Sequence, residues 1–229
     1  MAKVSIIIPV YNEAETILTL VDKIRGVDFA QDDKEVIIVD GNSDDGTKEL
    51  LSTLTEPWVR VIHEGERRGK GAAVKEGIDQ AGGDCVIIQD ADLEYDPSDI
   101  PSLVRPILSG EAQVVYGSRF KGSPRNMTFP RLVANKLLTF SMNRIHSGHL
   151  TDACTCYKAL STRLARDLSL ESNTFDICHE ITSKVLRRDI PIMELPIKYK
   201  ARRYEDGVKS GWTNFFTALG TALKYRFQR

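Results

Sequence analysis

Asp90-Ala91-Asp92 stands just after the apolar run Cys85-Val86-Ile87-Ile88 and just before Leu93-Glu94-Tyr95-Asp96-Pro97. A strand that delivers two carboxylates on alternate residues into a loop offers hard oxygen ligands to a divalent ion, and such an ion keeps coordination sites for substrate phosphates. The pattern points to diphosphate chemistry. The same acids also suit a solvated turn or the cap of a helix beginning near Ser98. An Asp-x-Asp needs its structural context before these readings separate.

A second candidate segment is Arg67-Arg68-Gly69-Lys70-Gly71. It combines positive charge with glycines at an expected helix start, where free backbone N–H groups attract phosphate. It is not a Walker loop, because GxxxxGK followed by Ser or Thr is absent. No GxGxxG follows the first apolar run either, which argues against a dinucleotide oxidoreductase.

These residues need elements to position them. Short β-branched runs recur at residues 4–10, 35–39, 59–62, 85–89 and 113–116, with helical periodicity between most of them. Such alternation implies right-handed βαβ crossovers and a mostly parallel, Rossmann-like α/β sheet with helices on both faces. Ligands of such sheets sit at the carboxyl ends of the strands. Tyr11, Asp40 and Asp90 all fall at such ends and can converge on one crevice. There Asp40 can cap the Gly41–Gly46 turn. After Gly117 the pattern changes. Residues 130–146 read as a helix whose polar strip is Asn135, Lys136, Thr139 and Asn143, with an apolar remainder suited to core or to a lipid interface.

Several stretches together resemble a known family: Val4 to Glu13, Glu35 to Thr47, Arg68-Gly69-Lys70-Gly71-Ala72-Ala73 and Asp90 to Asp92. In order and spacing they are similar to the nucleotide-sugar half of family 2 glycosyltransferases with the GT-A fold. Gly117-Ser118-Arg119-Phe120, Phe129-Pro130-Arg131, Thr151-Asp152, Thr155-Cys156-Tyr157-Lys158, Glu180-Ile181-Thr182 and Arg202-Arg203-Tyr204-Glu205-Asp206-Gly207 resemble the dolichol-phosphate mannose synthase branch and its bacterial polyprenyl-phosphate relatives. The resemblance implies a single GT-A domain over residues 1–229, with a donor half at 1–120 and an acceptor half at 121–229. It places Pro9, Tyr11, Glu13, Asp40, Lys70, Asp90, Ala91 and Asp92 around a GDP- or UDP-hexose, and Asp90, Asp92 and Glu94 on Mg²⁺ or Mn²⁺. Glu94 stands where some members carry glutamine. Arg119, Arg131, Arg202 and Arg203 match phosphate-contacting arginines, whose guanidinium forks suit that task. Asn135 stands where relatives can carry serine. Asp152 and Glu180 would bind sugar hydroxyls or, for a hydroxyl acceptor, one would serve as general base beside Asp92 as the metal-holding catalytic residue. A lipid phosphate needs no base, since its second ionisation lies near pKa ~6. The implied activity is inverting transfer of a hexose, mannose or glucose, to a dolichyl or undecaprenyl phosphate. Transfer to a glycan or small-molecule hydroxyl, and a non-catalytic nucleotide-sugar module, are the alternatives; a nucleotidyltransferase would instead release pyrophosphate.

Composition bounds the partners. The formal net charge is −1, yet residues 1–120 carry 12 Lys+Arg against 23 Asp+Glu and residues 121–229 carry 19 against 9. The basic second half suits an anionic acceptor or lipid headgroups, or is a solvated surface. Nucleic acid is not expected, since no reader motif accompanies the charge. Cys85, Cys154, Cys156 and Cys178 read as buried, inert thiols of a reducing cytosol rather than a zinc site. No apolar stretch reaches the ~20 residues that cross a bilayer, and Met1-Ala2-Lys3-Val4 leads straight into a strand pattern. The expected place is the cytoplasm, peripheral to the cytosolic face of a membrane. Residues 208–229 offer the contact: Trp212, Phe215, Phe216, Leu219, Leu223 and Phe227 share one helical face, with Lys209, Lys224, Arg226 and Arg229 among or beside them. A terminal helix packed on the sheet would look the same.

Overall fold

Ile6, Ile7 and Ile8 are consecutive and all fully buried, so the first strand must be covered on both faces. The computed structural model, which describes residues 1–30, 32–202 and 212–227, shows how. Strands β1 (Lys3–Val10), β2 (Asp33–Asp40), β3 (Val59–His63) and β4 (Cys85–Ile88) alternate with helices α1 (Ile17–Arg25), α2 (Thr47–Leu51) and α3 (Lys70–Gln80). Then follow α4 (Ile100–Leu108), β5 (Val114–Ser118), α5 (Phe129–His146), β6 (Lys158–Ser161), α6 (Thr162–Asp167), α7 (Ile177–Arg187), β7 (Met193–Pro196) and α8 (Trp212–Phe227).

The strands form one sheet in the order β3-β2-β1-β4-β6-β5-β7. Four strand pairs are parallel; β6 runs antiparallel to both β4 and β5. The sheet is mostly parallel, as expected from the alternating pattern. Ile6 and Ile8 pack with α1 and α4 on one face, while Ile7 packs with α3 and α7 on the other. Helix α1 takes its place because Ile17, Leu20, Val21 and Ile24 repeat at helical spacing and are all buried. Helix α3 comes close because Gly77 lies against Ile7: a Cβ there would sit 2.4 Å from Ile7 Cγ2.

The first five strands fall where the apolar runs predict them. Strands β6 and β7 do not stand out in the sequence. Each is four residues long, β6 opens on Lys158, and β7 contains Glu194 and Pro196. Lys158 is nonetheless fully buried: its ammonium donates to the Ala153 carbonyl at 3.1 Å and to Thr182 Oγ1 at 3.0 Å. No helix among the described residues is long and apolar enough to cross a membrane.

Candidate active site

The carboxyl ends of β1, β2 and β4 lie side by side, because these strands are parallel neighbours in the sheet. Tyr11 follows β1, and its ring lies 3.9 Å beneath the Arg67 guanidinium. Asp40 ends β2 in register with His63, which ends β3. Asp40 is fully buried, and its Oδ1 accepts from Ser43 N at 3.1 Å and Ser43 Oγ at 2.5 Å. Its Oδ2 meets His63 Nδ1 at 3.1 Å. Of the two roles open to Asp40, the turn-capping one is therefore filled, and a base reaching this carboxylate must displace His63. An open concavity of about 590 Å³ borders this corner; its lining includes His63, Glu64 and Arg68 but neither Asp90 nor Asp92.

The α3 start differs from expectation. The N–H groups of Gly71 and Ala72 donate to the Asn173 carbonyl at 2.9 and 3.2 Å, so they are not free for a phosphate. The loop carbonyls press so closely that a Cβ at Gly71 would lie 2.4 Å from Ser172 O. What α3 does contribute is Lys70, whose ammonium donates to Asp90 Oδ1 and stands 3.4 Å from Cys156 Sγ. Burial works against that charge, but Asp90, with Cys156 and Cys178 adding to it, offsets burial and holds Lys70 well above the ordinary lysine range.

Beyond β4 the chain turns through Leu93, whose φ of 59° lets the Glu94 N–H fold back onto Asp92 Oδ1 at 3.1 Å. Helix capping falls to Asp96, which accepts from Ser98 N at 3.0 Å, so Asp90 and Asp92 are not spent on it. Ala91 between them is buried. Burial raises the Asp92 carboxyl to about 7, and the neighbouring Asp90 and Glu94 charges add to the rise. Two hard oxygen donors with excess negative charge fit a divalent cation. The expected third ligand does not join them. Glu94 points to the basic residues instead, and no cluster of three His, Cys, Asp or Glu side chains able to hold a metal occurs among the described residues. Zinc binding by the cysteines is equally unsupported there; all four are free thiols, Cys154 and Cys156 only half-buried.

Glu94 is the hub of the acceptor-side expectation. Its carboxylate accepts from Arg131 Nη1 and Nη2 at 3.1 and 3.0 Å, from Arg202 N at 2.8 Å and from the Tyr199 hydroxyl at 2.5 Å. Arg202 Nε donates to the Asp92 carbonyl at 2.9 Å, and its Nη2 pairs with Glu13, whose carboxylate also takes the Thr16 hydroxyl. Thus Glu13 joins the end of β1 to Arg202. Pro9 is half-buried within β1, and Asn135 lies half-buried one turn beyond Arg131 on α5. Arg203 lies outside the described residues, as do the side chains of Trp212, Phe215 and Phe216.

Two expected catalytic carboxylates are engaged by protein partners. Asp152 is fully buried and bidentate with Arg119, at 2.7 Å to Nε and 2.8 Å to Nη2, and it also accepts the Arg119 N–H at 3.1 Å. Arg119, itself buried, spends its fork on Asp152. Glu194 on β7 fixes the segment by accepting from the Thr151 and Asp152 N–H groups. Glu180 on α7 is also fully buried; it accepts from Glu171 N and Ser172 N at 2.8 Å each and from Lys184 Nζ at 2.7 Å. It braces the loop whose Asn173 carbonyl caps the start of α3.

Of residues 208–229, those described form the helix Trp212–Phe227, the others lying outside the described residues, and its described side chains favour packing. Ala218, Thr221, Ala222 and Tyr225 are buried, and Arg187 Nη1 donates to the Tyr225 carbonyl at 3.1 Å. Leu223 and Phe227 remain exposed. The exposed apolar surface lies more prominently on α5, where Phe129, Val133, Leu137 and Phe140 are 74, 46, 47 and 65% exposed.

The profile described as glycosyl transferase family 2 matches residues 5–169. Glycosyltransferase AglJ of Haloferax volcanii is 31% identical over 87% of this chain and 63% of its own length. Dolichol-phosphate mannosyltransferase of Pyrococcus furiosus is 29% identical over 93% of this chain and 61% of its own length. Undecaprenyl-phosphate mannosyltransferase of Micrococcus luteus is 28% identical over 91% and 88%. The chain thus spans less than two thirds of the first two of these relatives. Among solved structures, glucosyl-3-phosphoglycerate synthase of Mycobacterium tuberculosis, in complex with Mn²⁺, uridine diphosphate and phosphoglyceric acid, matches with a TM-score of 0.71 at 23% identity, over 99% of this chain and 79% of that one. The fold is GT-A, and the chain belongs to glycosyl transferase family 2.

Proposed function

We propose that this protein transfers a hexose from a GDP- or UDP-sugar to a polyprenyl phosphate at a membrane surface, with inversion at the anomeric carbon. The observation that carries the reading is the joining of the Asp90–Asp92 loop to Arg131 and Arg202: Arg202 donates to the Asp92 carbonyl, and both arginines meet on Glu94. Acidic residues suited to an ion and basic residues suited to a phosphate are thereby held in one hydrogen-bonded cluster. The names of the relatives, which include dolichol- and undecaprenyl-phosphate transferases, support the same acceptor class.

In this reading Asp92 and Asp90 hold a Mg²⁺ or Mn²⁺ ion, which when bound neutralises the leaving diphosphate. Lys70, kept charged beside Asp90, adds a fixed positive charge at the same end of the crevice. Tyr11 and Arg67 offer two faces for the nucleotide base, with His63 and Asp40 at its edge. Arg131 and Arg202 position the lipid phosphate against its repulsion from the donor, and its oxyanion attacks from the side opposite the departing diphosphate. No protein base is required, which agrees with Asp152 and Glu180 being engaged elsewhere.

The membrane is met by α5. Its exposed Phe129, Val133, Leu137 and Phe140 recur at helical spacing, and Lys136 and Arg144 stand exposed on the same helix. An apolar stripe flanked by cations suits an anionic interface. The deciding experiment is a donor panel, GDP- and UDP-hexoses with polyprenyl phosphate, read by mass spectrometry of the lipid fraction. A hexosyl lipid phosphate supports the reading. Product formed on a glycan hydroxyl but never on the lipid would replace it, and donor binding without any turnover would leave a binding module.

A further inference from the structure

We infer that Glu94 is a positioning residue for the acceptor phosphate, which braces Arg131 and Arg202, and that it is not a ligand of the divalent ion. The inference deepens the proposed function and rests on it for the identity of the phosphate. An ionised carboxylate has about four lone-pair sites. At Glu94 four protein donors take them: both Nη of Arg131, the Arg202 N–H and the Tyr199 hydroxyl. The residue is 7% exposed, so water does not replace a lost partner easily. For Glu94 to ligate an ion, a guanidinium, a hydroxyl and a backbone N–H would each lose their acceptor in a largely buried place. Asp92 and Asp90 are less committed: among the described residues the Asp92 carboxylate accepts the Glu94 N–H and the Asp90 carboxylate the Lys70 ammonium, one bond each.

The geometry of the arginines fits a brace. Arg131 turns its two Nη atoms toward Glu94, which leaves its Nε–H and the outer Nη hydrogens for another anion, and a quarter of its side chain is exposed, 26%. Arg202 is held by Nε on the Asp92 carbonyl and by Nη2 on Glu13, and 25% of its side chain is exposed. Among the described residues, each guanidinium is thus fixed by protein acceptors while keeping N–H groups that none of them takes. Because Arg202 also grips the backbone of Asp92, the brace sets the distance between the acceptor phosphate and the ion-holding loop. Near-attack geometry depends on that distance.

The experiment measures ion and acceptor separately on Glu94→Gln. Mn²⁺ binding in the presence of GDP or UDP is read by electron paramagnetic resonance, and binding of a short-chain polyprenyl phosphate in detergent by calorimetry. Glutamine keeps one acceptor oxygen and places an amide NH₂ against Arg131, so the acceptor should bind at least about tenfold more weakly while Mn²⁺ affinity stays within about twofold. In turnover, the lipid KM should rise with the donor KM unchanged. A tenfold loss of Mn²⁺ affinity, with or without loss of acceptor binding, overturns the inference, and so does no change in either. Arg131→Lys tests the same contact from the other side should Glu94→Gln fail to fold: a single ammonium cannot span both carboxylate oxygens, so acceptor binding should fall with Mn²⁺ affinity retained. Wild type that binds no lipid phosphate sinks the proposed function and the acceptor role together, whereas Mn²⁺ binding still reports whether Glu94 is a ligand.

Discussion

Asp152→Asn separates a structural ion pair from a catalytic base. Asp152 is wholly buried, Arg119 is 3% exposed, and the pair shares two side-chain bonds of 2.7 and 2.8 Å plus the Arg119 N–H at 3.1 Å. Asparagine keeps one oxygen acceptor, loses the charge and turns an NH₂ toward a guanidinium that remains buried and cationic. Removing one partner of a buried pair costs about 3–5 kcal/mol. In a chain of this size about 1 kcal/mol moves the melting point by roughly 2–4 °C, so the variant should melt roughly 6–20 °C lower. Urea titration followed by circular dichroism gives the free energy directly. The double variant Arg119→Met with Asp152→Leu removes both charges and should recover part of the loss, because an apolar pair of similar volume replaces a buried ion pair at little cost. If Asp152→Asn unfolds at the wild-type urea concentration yet abolishes turnover, Asp152 acts in chemistry and the pairing has been misread.

Asp92→Asn should lower metal-dependent turnover at least about a hundredfold, since it weakens the ion's hold at the leaving group; full activity in chelator-treated buffer with added Mg²⁺ would remove Asp92 from the ion site. Because the Asp92 carboxyl is raised to about 7 by burial, with Asp90 and Glu94 adding to it, ion binding should release a proton and strengthen as pH rises through about 7; a flat affinity from pH 6 to 8 would count against it. Glu180 has its pKa lowered: burial opposes the charge, but Lys184 and the Ser172 and Glu171 N–H groups outweigh it. Its contribution to stability is thus complete above the ordinary glutamate value and is lost as pH falls through the lowered one, so Glu180→Gln should flatten the acid limb of the stability curve. Gly77→Ala places a Cβ 2.4 Å from Ile7 Cγ2 and should destabilise by about 1–3 kcal/mol through overpacking, seen in the same urea titration. Phe129→Glu with Phe140→Glu should abolish sedimentation with anionic liposomes without lowering the melting point, since both rings are exposed; unchanged sedimentation would move the membrane contact off α5.

The first half of the sheet was legible in the sequence because its strands are unbroken β-branched runs buried on both faces, and ligands of such sheets sit at the strand ends. Even His63 was within reach, since parallel pairing sets it opposite Asp40. The carboxylate roles were not. Glu94 finds its partners 37, 105 and 108 residues away, and Asp152 finds Arg119 at a separation of 33, so type and local spacing carry no trace of them. The terminal helix stayed open between packing and a lipid face for another reason. Large apolar side chains dominate a helical projection, whereas close packing on α5 and α7 selects small ones, Ala218 and Ala222.

Strand β6 has a consequence for how this protein can be divided or recombined. Lys158–Ser161 inserts between β4 and β5, with Val86 facing Leu160 on one side and Val114 facing Leu160 on the other. A fragment ending at residue 120 would leave the β4 edge without a neighbour and β5 with nothing joining it to the rest of the sheet. The acidic and basic stretches are therefore interlaced through β6 and β7, which flank β5. Grafting one half onto a relative would require the donor's β6 to match the recipient's β4 in register and side-chain volume, so exchange of acceptor specificity should succeed by replacing loops around Arg131 and Arg202 rather than by swapping halves.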